Sequence, residues 1–133
     1  LELNNNSGNI ARAALETLAF QVHDIIDILI NKYNLTVENI KVDGIYSSYN
    51  YLIQIITDIL GINIKKNKNL SNDVLGAFFL VGLSTGLWNN INEIKKFENI
   101  HKEFTPRQKS RSVSKLLKKW NQSIQVIRYI STL

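Results

Sequence analysis

A chain of 133 residues, 44% hydrophobic and 20% charged, holds enough apolar mass for one core, hence one domain or part of one. It contains no cysteine, which excludes disulfides, thiolate metal sites and cysteine nucleophiles and fits a reducing compartment. The net charge of +5 invites a nucleic-acid partner, whereas apolar stretches broken by Asp24, Asp27 and Asn31 exclude a membrane-spanning helix.

The chain opens Leu1-Glu2-Leu3, with neither methionine nor a signal-peptide pattern, and reads as a piece of something longer. Asn4-Asn5-Asn6-Ser7-Gly8 offers several N-caps for a long helix over residues 9–31. Ala13, Ala14, Leu18, Val22, Ile25, Ile26 and Leu29 recur at helical spacing, and Arg12, Glu16, His23 and Asp27 leave only a narrow polar stripe. So narrow a stripe predicts a helix that is largely buried.

The alternating run over residues 40–43, ended by Gly44, predicts a strand. Ser47 or Ser48 is placed to cap a helix over residues 48–60 carrying Leu52, Ile55, Ile56, Ile59 and Leu60, with Gly61 at its C-terminal cap. Residues 62–65 predict a second strand, followed by a polar loop through Lys66, Asn67, Lys68 and Asn69. The two strands are expected to pair parallel through a right-handed crossover.

A third helix over residues 72–87 starts from Ser71 or Asn72, with Asp73 in its first turn. Gly76, Gly82 and Gly86 punctuate it and predict a close approach to a neighbour. A shorter helix is expected over residues 91–97, after Trp88. Thr105-Pro106-Arg107-Gln108 fits a capping box for a last helix over residues 107–130, with Val113, Leu116, Leu117, Trp120, Ile124 and Ile127 on one face. Two strands cannot form a stable sheet that covers so many apolar helices, so more polypeptide is expected upstream.

Candidate chemistry is sparse. His23 and His101 lie far apart with no carboxylates at ligand spacing, so no metal site is expected. Asp24 and Asp27 resemble an acid/base pair, but no opposing group argues for catalysis, and His23 reads as a surface histidine. Trp88 and Trp120 read as packing anchors. The basic excess falls late, from Lys95 through Lys109, Lys115 and Lys119 to Arg128, in a chain rich in Asn, Ile and Lys throughout. That pattern reads as a solvated surface, so nucleic acid is not the expected partner.

Over residues 1–124 the sequence resembles the C-terminal domain of the FGGY carbohydrate kinases, and within that family the glycerol kinases. The early part, with Leu1, Asn9-Ile10-Ala11-Arg12-Ala13-Ala14-Leu15-Glu16 and Ala19-Phe20-Gln21, is similar to the end of the family's second signature. Val42-Asp43-Gly44, then Asn50, Leu52, Gln54 and Asp58-Ile59-Leu60-Gly61, resembles its nucleotide-side strand, turn and helix. Leu75-Gly76-Ala77, Gly82-Leu83 and Gly86-Leu87-Trp88 match the helix that follows. Asn90, Glu93, Lys95, Phe104 before Pro106, and Trp120 favour the glycerol kinases over the xylulose or gluconate kinases.

The resemblance implies an α/β, ribonuclease-H-like domain of the actin-like ATPase architecture, without its first strands. It implies a cytoplasmic enzyme that moves the terminal phosphoryl group of ATP, with magnesium, to glycerol. The N-terminal kinase domain, which carries the acceptor pocket, the catalytic aspartate and an early phosphate loop in the family, is the implied partner. No catalytic residue falls within this chain, so the chain alone is not expected to be active. Homo-oligomer formation is left open.

By the same resemblance, Asp43, Gly44 and Asn50 are the nucleotide-binding residues. Ile45 and Tyr49 depart from the family, which has a second glycine and a first asparagine at those positions against the nucleotide. Isoleucine resists the positive φ and close approach that glycine allows. Loss of the asparagine contact removes about 0.5–1.5 kcal/mol, and the Tyr49 ring offers stacking on adenine in its place. The departures support a rival reading, a degenerate and non-catalytic relative acting in interaction or regulation. A basic nucleic-acid binder built on the last helix is a third.

Overall fold

The computed structural model describes residues 6–67, 72–97, 100–108 and 110–132. Leu1, Ser71, Lys68, Asn69 and Lys109, which carried expectations above, lie outside the described residues. Among the described residues, five α-helices, three strands and a 3-10 turn follow in the order α1 (Ser7–Asn31), β1 (Asn39–Val42), the turn (Ile45–Ser48), α2 (Asn50–Leu60), β2 (Asn63–Asn67), α3 (Asn72–Ser84), α4 (Ile91–Lys95), β3 (Ile100–Phe104) and α5 (Ser110–Ile130).

The core is built around α2. Seven of its eleven residues are buried, including the polar Thr57 and Asp58. Leu52, Ile53, Ile55, Ile56 and Ile59 pack with Ala19 and Phe20 of α1, Ile64 of β2 and Phe104 of β3. Each such side chain is worth roughly 1.5–3 kcal/mol when fully buried. Thr57 is wholly enclosed, and its hydroxyl donates to the Ile53 carbonyl at 2.7 Å, so no polar atom is stranded there. Gly61 ends the helix at φ 67°, donating its N–H to the Thr57 carbonyl at 3.0 Å, as expected of a C-terminal glycine.

The sheet has the order β1-β2-β3. β1 and β2 run parallel, Asn39 beside Asn63 and Val42 beside Lys66, in the pairing expected of two strands joined through a helix. β3 was not anticipated. It runs antiparallel to β2, Ile64 opposite Phe104 and Lys65 opposite Glu103, with an irregularity between Lys66 and Asn67. Only Phe104 of this strand is buried, so Ile100-His101-Lys102-Glu103 has no apolar alternation to announce it.

The start of α5 also differs. The expected capping box would begin the helix at residue 107, but α5 starts at Ser110. The Arg107 N–H donates instead to Asp58 Oδ1 at 2.7 Å, and Gln54 Nε2 donates to the same oxygen at 2.9 Å and to the Thr105 carbonyl at 3.0 Å. A buried carboxylate on α2 thereby outcompetes the local cap and fixes the connection from β3 to α5. Further along α5, Trp120 stacks on Phe20 with ring centroids 5.2 Å apart, and its Nε1–H donates to Asp24 Oδ2 at 2.9 Å. Trp120 is the anchor that was expected.

α1 is capped by Asn6, whose side chain accepts from the Asn9 N–H at 3.0 Å. It is not largely buried, contrary to expectation. Only Ala19 and Phe20 are enclosed, and Ile10, Leu18, Ile25 and Ile28 are exposed, Ile25 at 60%. The described residues supply one flank of cover, from α2 and Trp120, for a helix that is apolar over most of its circumference.

α3 is shorter than expected and ends at Ser84. Gly86, at φ 79°, lies beyond it and closes a paired cap: Leu87 N–H donates to the Gly82 carbonyl at 2.8 Å and Gly86 N–H to the Leu83 carbonyl at 3.3 Å. This folds Trp88 back over Gly82, whose missing Cβ leaves room for the indole ring. Phe78, Phe79 and Phe97 surround the same ring at centroid distances of 5.2, 5.5 and 5.9 Å. The close approach expected of these glycines is therefore made at Gly82, whereas a Cβ at Gly76 would meet nothing within 4 Å. Gly82→Ala is expected to cost about 1–3 kcal/mol through overpacking, and the penalty should shrink in a Trp88→Leu background. Thermal unfolding of the full-length protein carrying each single change and the pair checks this coupling.

Candidate functional site

The site begins where β1 ends. Asp43 leaves the sheet exposed to solvent, and Gly44 then turns the chain at φ 83°, ψ 179°, a region of backbone space that only glycine occupies readily. The 3-10 turn that follows is tied down from within. Ser47 is buried, and both its N–H and its hydroxyl donate to the Gly44 carbonyl, at 3.0 and 2.7 Å. Ser48 donates its hydroxyl to the Ile45 carbonyl at 2.6 Å. Contrary to expectation, neither serine caps α2: Tyr49 occupies that position with no side-chain cap, and the helix starts at Asn50.

Asn50 is exposed at the head of α2, and its Oδ1 accepts a long hydrogen bond, 3.4 Å, from Lys66 Nζ on β2. Since Val42 pairs with Lys66, the turn and the lysine both stand at the C-terminal ends of the two parallel strands. That is where ligands collect in open α/β sheets. Lys66 had been read as part of a loop, and extending β2 to Asn67 is what brings it to the site.

The departures from the family pattern take different forms. Ile45 is 72% exposed and avoids positive φ; among the described non-glycine residues only Asn34 has one. The strain expected of an isoleucine here is absent because Gly44 alone takes the unusual conformation. Tyr49 lines a cleft of about 400 Å³ together with Leu15 and Leu18 of α1 and Tyr46, Tyr51 and Leu52. Asp43, Gly44, Ile45 and Asn50 do not line it. The other two tyrosines were overlooked, although three of the chain's five tyrosines fall within residues 46–51, a clustering visible in the sequence.

Asp24 accepts from Trp120 Nε1–H at 2.9 Å, and Asp27 accepts from Asn31 Nδ2 at 2.7 Å. His23 Nδ1 lies 3.6 Å from Asp24 Oδ1, shielded from solvent and without a hydrogen-bond partner in the described structure. Arg12 pairs with Glu16 at 2.8 Å, and the hydrogen bond and charge of Glu16 raise the guanidinium pKa. Among the described residues no three His, Cys, Asp or Glu side chains come together as metal ligands, and no helix is long and apolar enough to cross a membrane.

Residues 1–84 match the FGGY family of carbohydrate kinases, C-terminal domain. A glycerol kinase of Mycoplasmoides gallisepticum is 34% identical over 125 residues, which cover 94% of this chain and 25% of that protein. One of Streptococcus pneumoniae is 38% identical over 114 residues, covering 86% and 23%. Among solved structures, Plasmodium falciparum glycerol kinase with ADP superposes with a TM-score of 0.84 at 24% identity, covering 94% of this chain and 25% of that one. The fold is thus the α/β fold of the sugar kinases, and the chain spans about a quarter of the length of the relatives it matches.

Gly44→Ala is expected to destabilise the protein by about 1–3 kcal/mol through backbone strain alone, since a Cβ there meets nothing within 4 Å. Ile45→Ala, at an exposed position, should stay within about 0.5 kcal/mol of the parent. Melting temperatures of the two variants, measured together, check the contrast.

Proposed function

This chain belongs to the FGGY family of carbohydrate kinases, as part of their C-terminal domain, and from that premise we propose that it forms the nucleotide side of a cytoplasmic, ATP-dependent glycerol kinase. The observation that carries the proposal is the Gly44 turn, set at the C-terminal ends of two parallel strands with Asn50 and Lys66 beside it. Glycine's open conformation keeps side-chain bulk away from the turn, so a nucleotide can approach the backbone closely. Lys66 supplies positive charge and Asn50 a neutral amide at the same edge. Asp43, Gly44 and Asn50 are the proposed contacts, and Ile45, projecting into solvent, narrows the approach on one side.

In this reading the chain orients the nucleotide and nothing more. Phosphoryl transfer is governed by positioning and charge neutralisation, and the groups that activate glycerol belong to the rest of the kinase. Among the described residues Asp43 belongs to no group of three His, Cys, Asp or Glu side chains able to hold a metal ion, so in this reading magnesium is held by the rest of the kinase and the nucleotide. The remaining kinase polypeptide is the proposed cover for the exposed apolar residues of α1 and α3, Ile25, Val74, Phe78 and Leu80 among them. Such surface is otherwise unfavourable in water.

The second reading, a non-catalytic relative, is favoured by Ile45 and Tyr49 standing where the family motif has glycine and asparagine. Calorimetric titration of the full-length protein with ATP, followed by an assay for glycerol-dependent ADP formation, separates the two. The kinase reading expects both binding and turnover. Binding without turnover supports the non-catalytic relative, and absence of binding at millimolar ATP defeats the nucleotide site.

A further inference from the structure

α5 meets the core through one face and only along its first half. Val113 is buried, and Leu116, Leu117 and Trp120 are half-buried against the core cluster. Lys115, Lys118 and Lys119 recur at spacings of three and four on the opposite face, and all three are exposed. Beyond Trp120 the cover ends. Val126, Ile127, Tyr129 and Ile130 are 58–68% exposed, and at about 100° per residue Ile127 and Tyr129 project from nearly opposite sides of the helix. The last turns of α5 are thus apolar almost all round, with Arg128 the one charge among them.

The charge here has one sign. From Thr105 to Leu133 the sequence contains no Asp or Glu, and among the described residues none of the three lysines is ion-paired. A partner for this helix is therefore anionic. Solvent alone accounts for the lysines but not for four large apolar side chains on the turns that follow. Nucleic acid would use the cations and leave the apolar turns idle. A protein docked on one side would cover Tyr129 or Ile127 but not both. An anionic bilayer uses everything the helix offers. Lipid headgroups meet the ammonium groups, acyl chains surround the apolar turns, and the Tyr129 ring suits the interface between them.

We propose that α5 is a peripheral membrane contact, its lysines set on anionic lipid headgroups and its last turns dipped into the boundary between headgroups and acyl chains. The helix lies on the bilayer and does not cross it, being neither long nor apolar enough to do so. This inference does not depend on the nucleotide reading of the Gly44 turn.

The test mixes the full-length protein with vesicles of phosphatidylcholine, pure or blended equally with phosphatidylserine, and measures the bound fraction by co-sedimentation. The blended vesicles should bind about tenfold or more tightly than the neutral ones, and the preference should fade as salt is raised. One cation near such a surface is worth about fivefold, so changing Lys115, Lys118 and Lys119 together to Gln should weaken that binding about tenfold or more. Ile127→Ser with Ile130→Ser should weaken it about tenfold with every lysine in place. Absence of binding to the blended vesicles at low salt, or equal binding to both kinds, overturns the inference. Binding that survives the loss of both isoleucines reduces the helix to a charge patch and overturns it too. Equal or tighter binding to duplex DNA or to polyglutamate does the same, assigning α5 to nucleic acid or to an acidic protein. The comparison of vesicle types needs no variant, so it stands whether or not the variants fold.

Discussion

The structure depends on the enclosure of α2. This eleven-residue helix touches α1 on one side and the sheet on the other, and its buried residues fall on all faces. An apolar helix held from several sides cannot slide or rotate without opening voids in the core, so its two ends are fixed. The N-terminal end sets Tyr49 and Asn50, and through them the 3-10 turn back to Gly44. The C-terminal end, closed by Gly61, delivers the chain into β2 and so places Lys66 next to Asn50. Asp58, in the same helix, extends the control to α5 by holding the Arg107 N–H. The hydrophobic core around α2 therefore places Asn50 and Lys66 at the candidate site, and its buried carboxylate fixes the connection to α5.

What could be read in the sequence follows from how local each signal is. The periodicity of α1 and α2, the glycine that ends α2 and the short alternating runs of the first two strands are local patterns, and the structure holds all of them. β3 was illegible because an edge strand with one buried residue needs no alternation; its partner β2 decides where it lies. The start of α5 was misplaced for a related reason. Thr105-Pro106-Arg107-Gln108 carries a sound capping pattern, yet the Arg107 N–H finds a buried charge 49 positions away in sequence and takes that instead. Tertiary contacts of this kind leave no local trace.

The misjudged burial of α1 carries a physical message. Its sequence asks for cover on most of its circumference, and the described residues give it along one flank. The exposed faces of α3 make the same demand. The chain spans about a quarter of the length of the relatives it matches, and the kinase reading proposed above is what assigns the remaining polypeptide to these faces. At the site, the resemblance pointed to Asp43, Gly44 and Asn50, and the structure groups these at one strand end. The resemblance also marked Tyr49 as a departure; only the fold shows it to be one of three rings lining a common cleft.

The most direct measurement is amide hydrogen exchange on the full-length protein, with and without ATP. If α2 is the fixed centre that positions a nucleotide turn, its amides exchange among the slowest in this region, and ATP slows exchange further at residues 44–50. Rapid exchange across α2, or protection by ATP that spares residues 44–50, would contradict the account.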